Sequence, residues 1–103
     1  MIKVLIKSEG EKLRSLEVKG HANSAPHGED LVCSAVSAIV TGGANAINNK
    51  KDFDLKISEG YAHIKSKNII SKEDEIVLDT IVTQLRTIEE SYAKFIKIEE
   101  RKE

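Results

Sequence analysis

The sequence predicts an α+β fold of two layers, in which two helices pack on a mixed sheet in the order ββαββαβ. Three observations carry this. Short segments in which apolar and polar residues alternate, the mark of half-buried strands, recur along the chain. Two longer segments space their apolar residues at helical intervals instead. Two pairs of strand-like segments each meet at the same tripeptide, Ser-Glu-Gly, which is a turn signal.

Taken in order, residues 2–7 put Ile2, Val4 and Ile6 on one side, and residues 13–19 repeat the pattern with Leu16 and Val18, with Ser8-Glu9-Gly10 turning the chain between them. Residues 20–29 hold Gly, Asn, Ser and Pro with little apolar content, and predict a loop longer than most connections in small domains. From Asp30 the spacing becomes helical, with Val32, Val36, Ile39, Val40 and Ile47 near one face, so the first helix is placed at 30–48. Gly42-Gly43 inside it costs about 1 kcal/mol per glycine relative to alanine. Either a second backbone, such as that of another subunit, approaches closely there, or the helix ends early at Thr41.

Phe53, Leu55 and Ile57, the turn Ser58-Glu59-Gly60, then Ala62 and Ile64 describe a second hairpin. Ser71 is a good N-cap, with Asp74 where a capping box carries Glu, and Leu78, Ile81, Leu85 and Ile88 extend a buried stripe towards Ala93. Residues 95–100 alternate again as a fifth strand, and the charged tail 99–103 is expected to fray. The two halves look alike. Three shared turn residues are thin evidence of a repeat, since tight turns demand glycine for backbone reasons alone. Both helices should cover one sheet face, leaving their outer side or the other sheet face to a partner.

A chain of 103 residues fits one domain spanning 1–103. With 16 basic and 17 acidic residues the net charge is −1, which supplies no overall field for nucleic acid or anionic lipid. No direct nucleic-acid partner is expected, and a nucleic-acid role would need a local patch. One cysteine closes no internal disulfide, the N-terminus lacks a signal-peptide pattern, and no segment is long and apolar enough to span a membrane. A cytoplasmic location without membrane contact is the expectation.

The candidate chemistry lies around the long loop. If Asp30 caps the helix, Cys33 falls in its first turn, where unsatisfied backbone N–H groups and the helix dipole favour a thiolate nucleophile. His21, where the second strand enters the loop, is the candidate base. Each has a plain alternative: Cys33 as a small packing residue, and His21 as a strand-end residue bonded to a carbonyl. Asp30 is better read as cap than as a group orienting His21, because a carboxylate near the sulfur opposes the thiolate. Ser37, one helical turn past Cys33, is on the same face and suits a supporting role. His27 in the loop and His63 in a strand read as solvated. A metal site of His21, His27 and Cys33 lacks the paired short intervals of structural zinc sites.

At Gly20-His21-Ala22 and Gly28-Glu29-Asp30-Leu31-Val32-Cys33-Ser34-Ala35-Val36-Ser37 the sequence resembles the ribosomal-processing cysteine protease family, Prp. That family carries Gly-His-Ala, a short variable loop, then Gly-x-Asp-x-Val-Cys followed by small residues and Ser. Length and element order agree along essentially the whole chain. Ser34 departs from the family's usual Ala.

The resemblance implies a homodimeric endopeptidase, without cofactor or metal, that removes the N-terminal extension of ribosomal protein L twenty-seven. It implies His21 and Cys33 as a catalytic dyad, with Gly20, Asp30 and Ser37 as site support. Cleavage after paired aromatic residues implies a hydrophobic groove beside the dyad, with loop 20–29 as its lid. A lid at rest is expected either to be poorly ordered or to hold His21 away from Cys33. A different reading of the same chain is a non-enzymatic ribosome-assembly or protein-binding module in which Cys33 only packs.

Overall fold

Alternation along the strands builds a sheet with one apolar face and one polar face. The structure is a computed structural model and describes residues 1–22, 25 and 30–103. Its strands are β1 (Ile2–Glu9), β2 (Lys12–Lys19), β3 (Phe53–Ser58), β4 (Tyr61–Ser66) and β5 (Ile96–Lys102), in the sheet order β3-β4-β2-β1-β5. All neighbours run antiparallel except β1 and β5, which are parallel. Pairing aligns Ile6, Leu16, Ile64 and Leu55 in one row, and Val4, Val18, Ala62 and Ile57 in the next. A one-residue slip of any strand would turn its apolar set away from the core.

Helices α1 (Leu31–Ala46) and α2 (Lys72–Tyr92) cover that apolar face. Val32, Val36, Val40 and Ala44 of α1 and Leu78, Ile81 and Leu85 of α2 are buried against it. The expected α+β order is the one observed, and α1 runs through Gly42-Gly43 without ending at Thr41. Gly43 explains the run: a Cβ there would collide with the Ile81 side chain of α2. The close approach is therefore made within the chain at Gly43, while Gly42 faces open space.

Three expectations are corrected. First, α1 stops at Ala46 rather than residue 48, because Asn48 and Asn49 donate their backbone N–H groups to the Asp74 carboxylate at 2.7 and 3.1 Å. That contact also corrects the second expectation, a capping box. Ser71 Oγ does accept from the Asp74 N–H at 3.2 Å, but the carboxylate turns to the end of α1 instead of back to its own helix. Third, the tail does not fray. Glu99–Lys102 pair with Leu5–Ser8 of β1, and the Glu103 N–H donates to Ser8 O at 2.7 Å. Side-chain charge does not stop main-chain pairing, and Arg86 holds Glu100 at 2.7 Å. A short 3₁₀ turn at Lys50–Asp52, not foreseen, leads into β3.

The two Ser-Glu-Gly turns differ in register. Glu9 pairs with Lys12, so Gly10 is the first loop residue; Ser58 pairs with Tyr61, so Gly60 is the second. The irregularity between Lys7 and Ser8 accompanies this shift. The resemblance of the halves is thus one of architecture. Among the described residues no helix is long and apolar enough to cross a membrane.

Candidate active site

The start of α1, the end of β2 and the β3–β4 turn meet at one end of the sheet. Asp30 caps α1: its Oδ1 accepts the N–H groups of Val32 at 3.0 Å and Cys33 at 3.1 Å, and its carbonyl accepts from the Ser34 N–H at 3.1 Å. The residue is buried. Such a cap is worth about 1 kcal/mol to the helix, and here it also sets where Cys33 stands in the first turn.

Cys33 is half-buried, packed against the core on one side. Its Sγ accepts the backbone N–H of Ala22 at 3.1 Å. First-turn N–H groups were expected to be left unsatisfied near the sulfur; those of Val32, Cys33 and Ser34 are instead taken by Asp30. The donor that serves the sulfur comes from the β2 exit.

His21 is exposed at that exit, one residue before Ala22. Gly20 directs it there: the Gly20 N–H donates to Gly60 O at 2.9 Å, and the Met1 carbonyl lies where a Gly20 side chain would be. The imidazole rests against Gly60, so closely that a Cβ on Gly60 would be 2.8 Å from Nε2. Among the described residues no hydrogen bond joins His21 to Cys33.

All five expected site residues, Gly20, His21, Asp30, Cys33 and Ser37, line one cleft of about 840 Å³. Ser37 is exposed on the α1 face that Cys33 shares. The walls are largely apolar, with Val18, Val36, Val40, Ile57 and Ala62 among them. Sequence reasoning missed the contribution of the second hairpin, from Ile57 through Ala62. The signal was Ile57, an apolar strand residue that stays 43% exposed because the cleft lies over it. Tyr61, on the same hairpin, donates its hydroxyl to Glu17 at 3.0 Å, and that hydrogen bond raises its pKa above the ordinary value. His27 lies outside the described residues, as does most of the loop expected to act as a lid. The described residues contain no cluster of His, Cys, Asp or Glu suited to a metal ion.

A protein-family model, Cysteine protease Prp, matches residues 1–97. The chain belongs to the Prp cysteine protease family. The Prp of Staphylococcus aureus, a ribosomal processing cysteine protease, is 31% identical over 101 residues, covering 94% of each chain. The Prp of Bacillus subtilis is 33% identical over 107 residues, covering 95% of this chain and 96% of that relative. Solved structures agree. S. aureus Prp in complex with a covalently linked product peptide superposes with a TM-score of 0.89 at 32% identity, covering 98% of this chain and 100% of that one. S. aureus Prp in complex with a substrate peptide gives 0.82 at 29% identity, with the same coverage. As a Prp family member, the chain is a cysteine protease on the five-stranded mixed sheet described above.

Proposed function

We propose that residues 1–103 form a single endopeptidase domain, acting in the cytoplasm, that removes the N-terminal extension of ribosomal protein L twenty-seven with Cys33 as nucleophile and His21 as base. One observation carries the assignment of Cys33. It is the only cysteine of a cysteine protease chain, and its sulfur is held by a backbone N–H at the mouth of an apolar cleft. The covalently linked product peptide in S. aureus Prp supports a covalent route.

The Cys33 thiolate attacks the scissile carbonyl, and His21, having taken the thiol proton, passes it to the leaving amine. Water activated by His21 then hydrolyses the thioester and restores the thiol. The Ala22 N–H, already pointed at the sulfur, is the described donor best placed to turn to the carbonyl oxygen as charge develops there. His21 leaves Gly60 and reaches Cys33 as peptide fills the cleft; catalytic hydrogen bonds are often long until substrate binds. The apolar walls suit the aromatic residues that family likeness places before the cut. Asp30 builds the helix start, consistent with a dyad. A homodimer belongs to this reading, with Gly42 on the outer side of α1 open to a second copy.

Incubation with a peptide carrying the ribosomal protein's extension tests the reading, with Cys33→Ala and His21→Ala as controls. One cut by the wild type and none by either variant is expected. No cut by the wild type, or undiminished cutting by Cys33→Ala, would overturn it.

A further inference from the structure

Charge is divided between the two layers in a way the net value of −1 conceals. Among the described residues nothing covers the sheet face opposite the helices, and its side chains form three rows across the strands. The row nearest the cleft reads Lys97, Lys3, Lys19, Tyr61 and Ser58. The farthest row reads Arg101, Lys7, Ser15, Lys65 and Asp54. The middle row, Glu99, Leu5, Glu17, His63 and Lys56, holds two of the three acids in these rows, and Glu9, beyond Lys7 on β1, adds a fourth at the far edge of the face. The compensating negative charge is on the other layer, where α2 carries Glu73, Glu75, Asp79, Glu89 and Glu90.

Like charges directly opposite each other on a sheet are destabilising. Lys3 nevertheless stands opposite both Lys19 and Lys97. Within that trio and among the described residues only Lys19 has an ion pair, a long one to Glu17 at 3.6 Å. Lys7, Lys56 and Lys65 likewise make none among the described residues. Among the described residues that one pair relieves the lysine repulsion only in part, and a polyanion laid across the face would relieve the rest.

We propose that this open sheet face docks on the phosphate backbone of RNA. Adjacent strands are about 4.8 Å apart and alternate residues along a strand about 7 Å, so the lysines form a grid of flexible point charges that meets phosphates in many registers. Tyr61 and His63 add rings to the same face. A second copy of the chain would bring lysines against lysines. A lipid surface would find only Leu5, half-buried, as an apolar contact. The lysine row borders the cleft end of the sheet, so RNA held there lies beside the place where peptide is cut. This last point rests on the peptidase reading; RNA binding itself does not.

Fluorescence anisotropy with a labelled RNA hairpin at about 150 mM salt tests the proposal. The variant joins Lys3→Glu, Lys7→Glu and Lys97→Glu, with Gln in place of Glu as a milder set, and melting curves check folding. A control set, Lys12→Glu, Lys72→Glu and Lys94→Glu, changes net charge equally away from the face. The wild type is expected to bind, the face variant at least about tenfold more weakly, with the slope of log K against log salt reduced by about 2. Short-peptide cleavage, measured separately, should be unchanged. No RNA binding by the wild type, an equal loss in the control set, or binding to phosphatidylglycerol vesicles in preference to RNA would overturn it.

Discussion

The two ends of the sheet are built from the same parts, and only one carries chemistry. Each end has a Ser-Glu-Gly turn between paired strands, and each has a helix start with a buried aspartate. Far from the cleft, a Cβ on Gly10 would meet nothing within 4 Å, and Asp74 ties α2 to the end of α1. At the cleft, Gly60 presses on the His21 imidazole, and Asp30 starts the helix that presents Cys33. Both glycines have positive φ, 62° and 72°, so backbone geometry demands glycine at both. The difference lies in what stands opposite. A turn or cap is a local solution to a backbone problem, and it becomes part of a site only where reactive side chains are set against it.

Substitutions at matched positions should therefore separate the ends. The largest effect is expected at the reactive groups themselves: His21→Ala should lower kcat/KM by about 10³-fold or more, with the melting temperature little changed because the side chain is exposed. Next, Gly60→Ala and Gly10→Ala should each cost about 1 kcal/mol of stability from positive φ. Only Gly60→Ala should also slow cleavage, by up to about 10²-fold, as expected for a displaced catalytic group. In a His21→Ala background that extra loss should vanish. An equal effect of the two alanines on cleavage would show that Gly60 acts on the backbone alone.

Asp74→Ala should destabilise the fold by about 2–3 kcal/mol, since two hydrogen bonds from the α1 end to a buried, charged acceptor are lost, while cleavage per folded molecule stays intact. Chemical denaturation alongside kinetics checks this. The smallest effect concerns acid. Lys12 at 3.0 Å, through its hydrogen bond, holds the Glu75 carboxyl below its ordinary pKa, with Lys72 adding to it. A depressed carboxyl contributes stability above its unfolded pKa and loses it as pH falls through the folded value. Acid melting of Lys12→Ala should show less of that loss than the wild type.

Much of this was legible in the residues. Alternation at Ile2-Val4-Ile6 and helical spacing through Val32-Val36-Val40 report burial directly, because burial is what selects apolar side chains. Cys33, His21 and Asp30 were readable as a helix start beside a loop. What escaped were contacts between distant segments: Asp74 reaching Asn48 and Asn49, Glu99 to Lys102 pairing beside β1, and Gly60 lying against His21. Local sequence carries propensity, whereas these depend on which strands become neighbours. The polarity of the open face escaped for the same reason, since Lys3, Lys19 and Lys97 are far apart until the sheet brings them into one row.

The central claim is that Cys33 carries the acyl group during peptide cleavage. Rapid acid quenching of wild-type protein mixed with the extension peptide, followed by intact-mass and fragment analysis, measures this directly. The expected result is a burst of amine product together with the N-terminal fragment of the peptide joined to Cys33 as a thioester, its mass lacking one water. Cleavage with no adduct, or with the fragment on another residue, would contradict it.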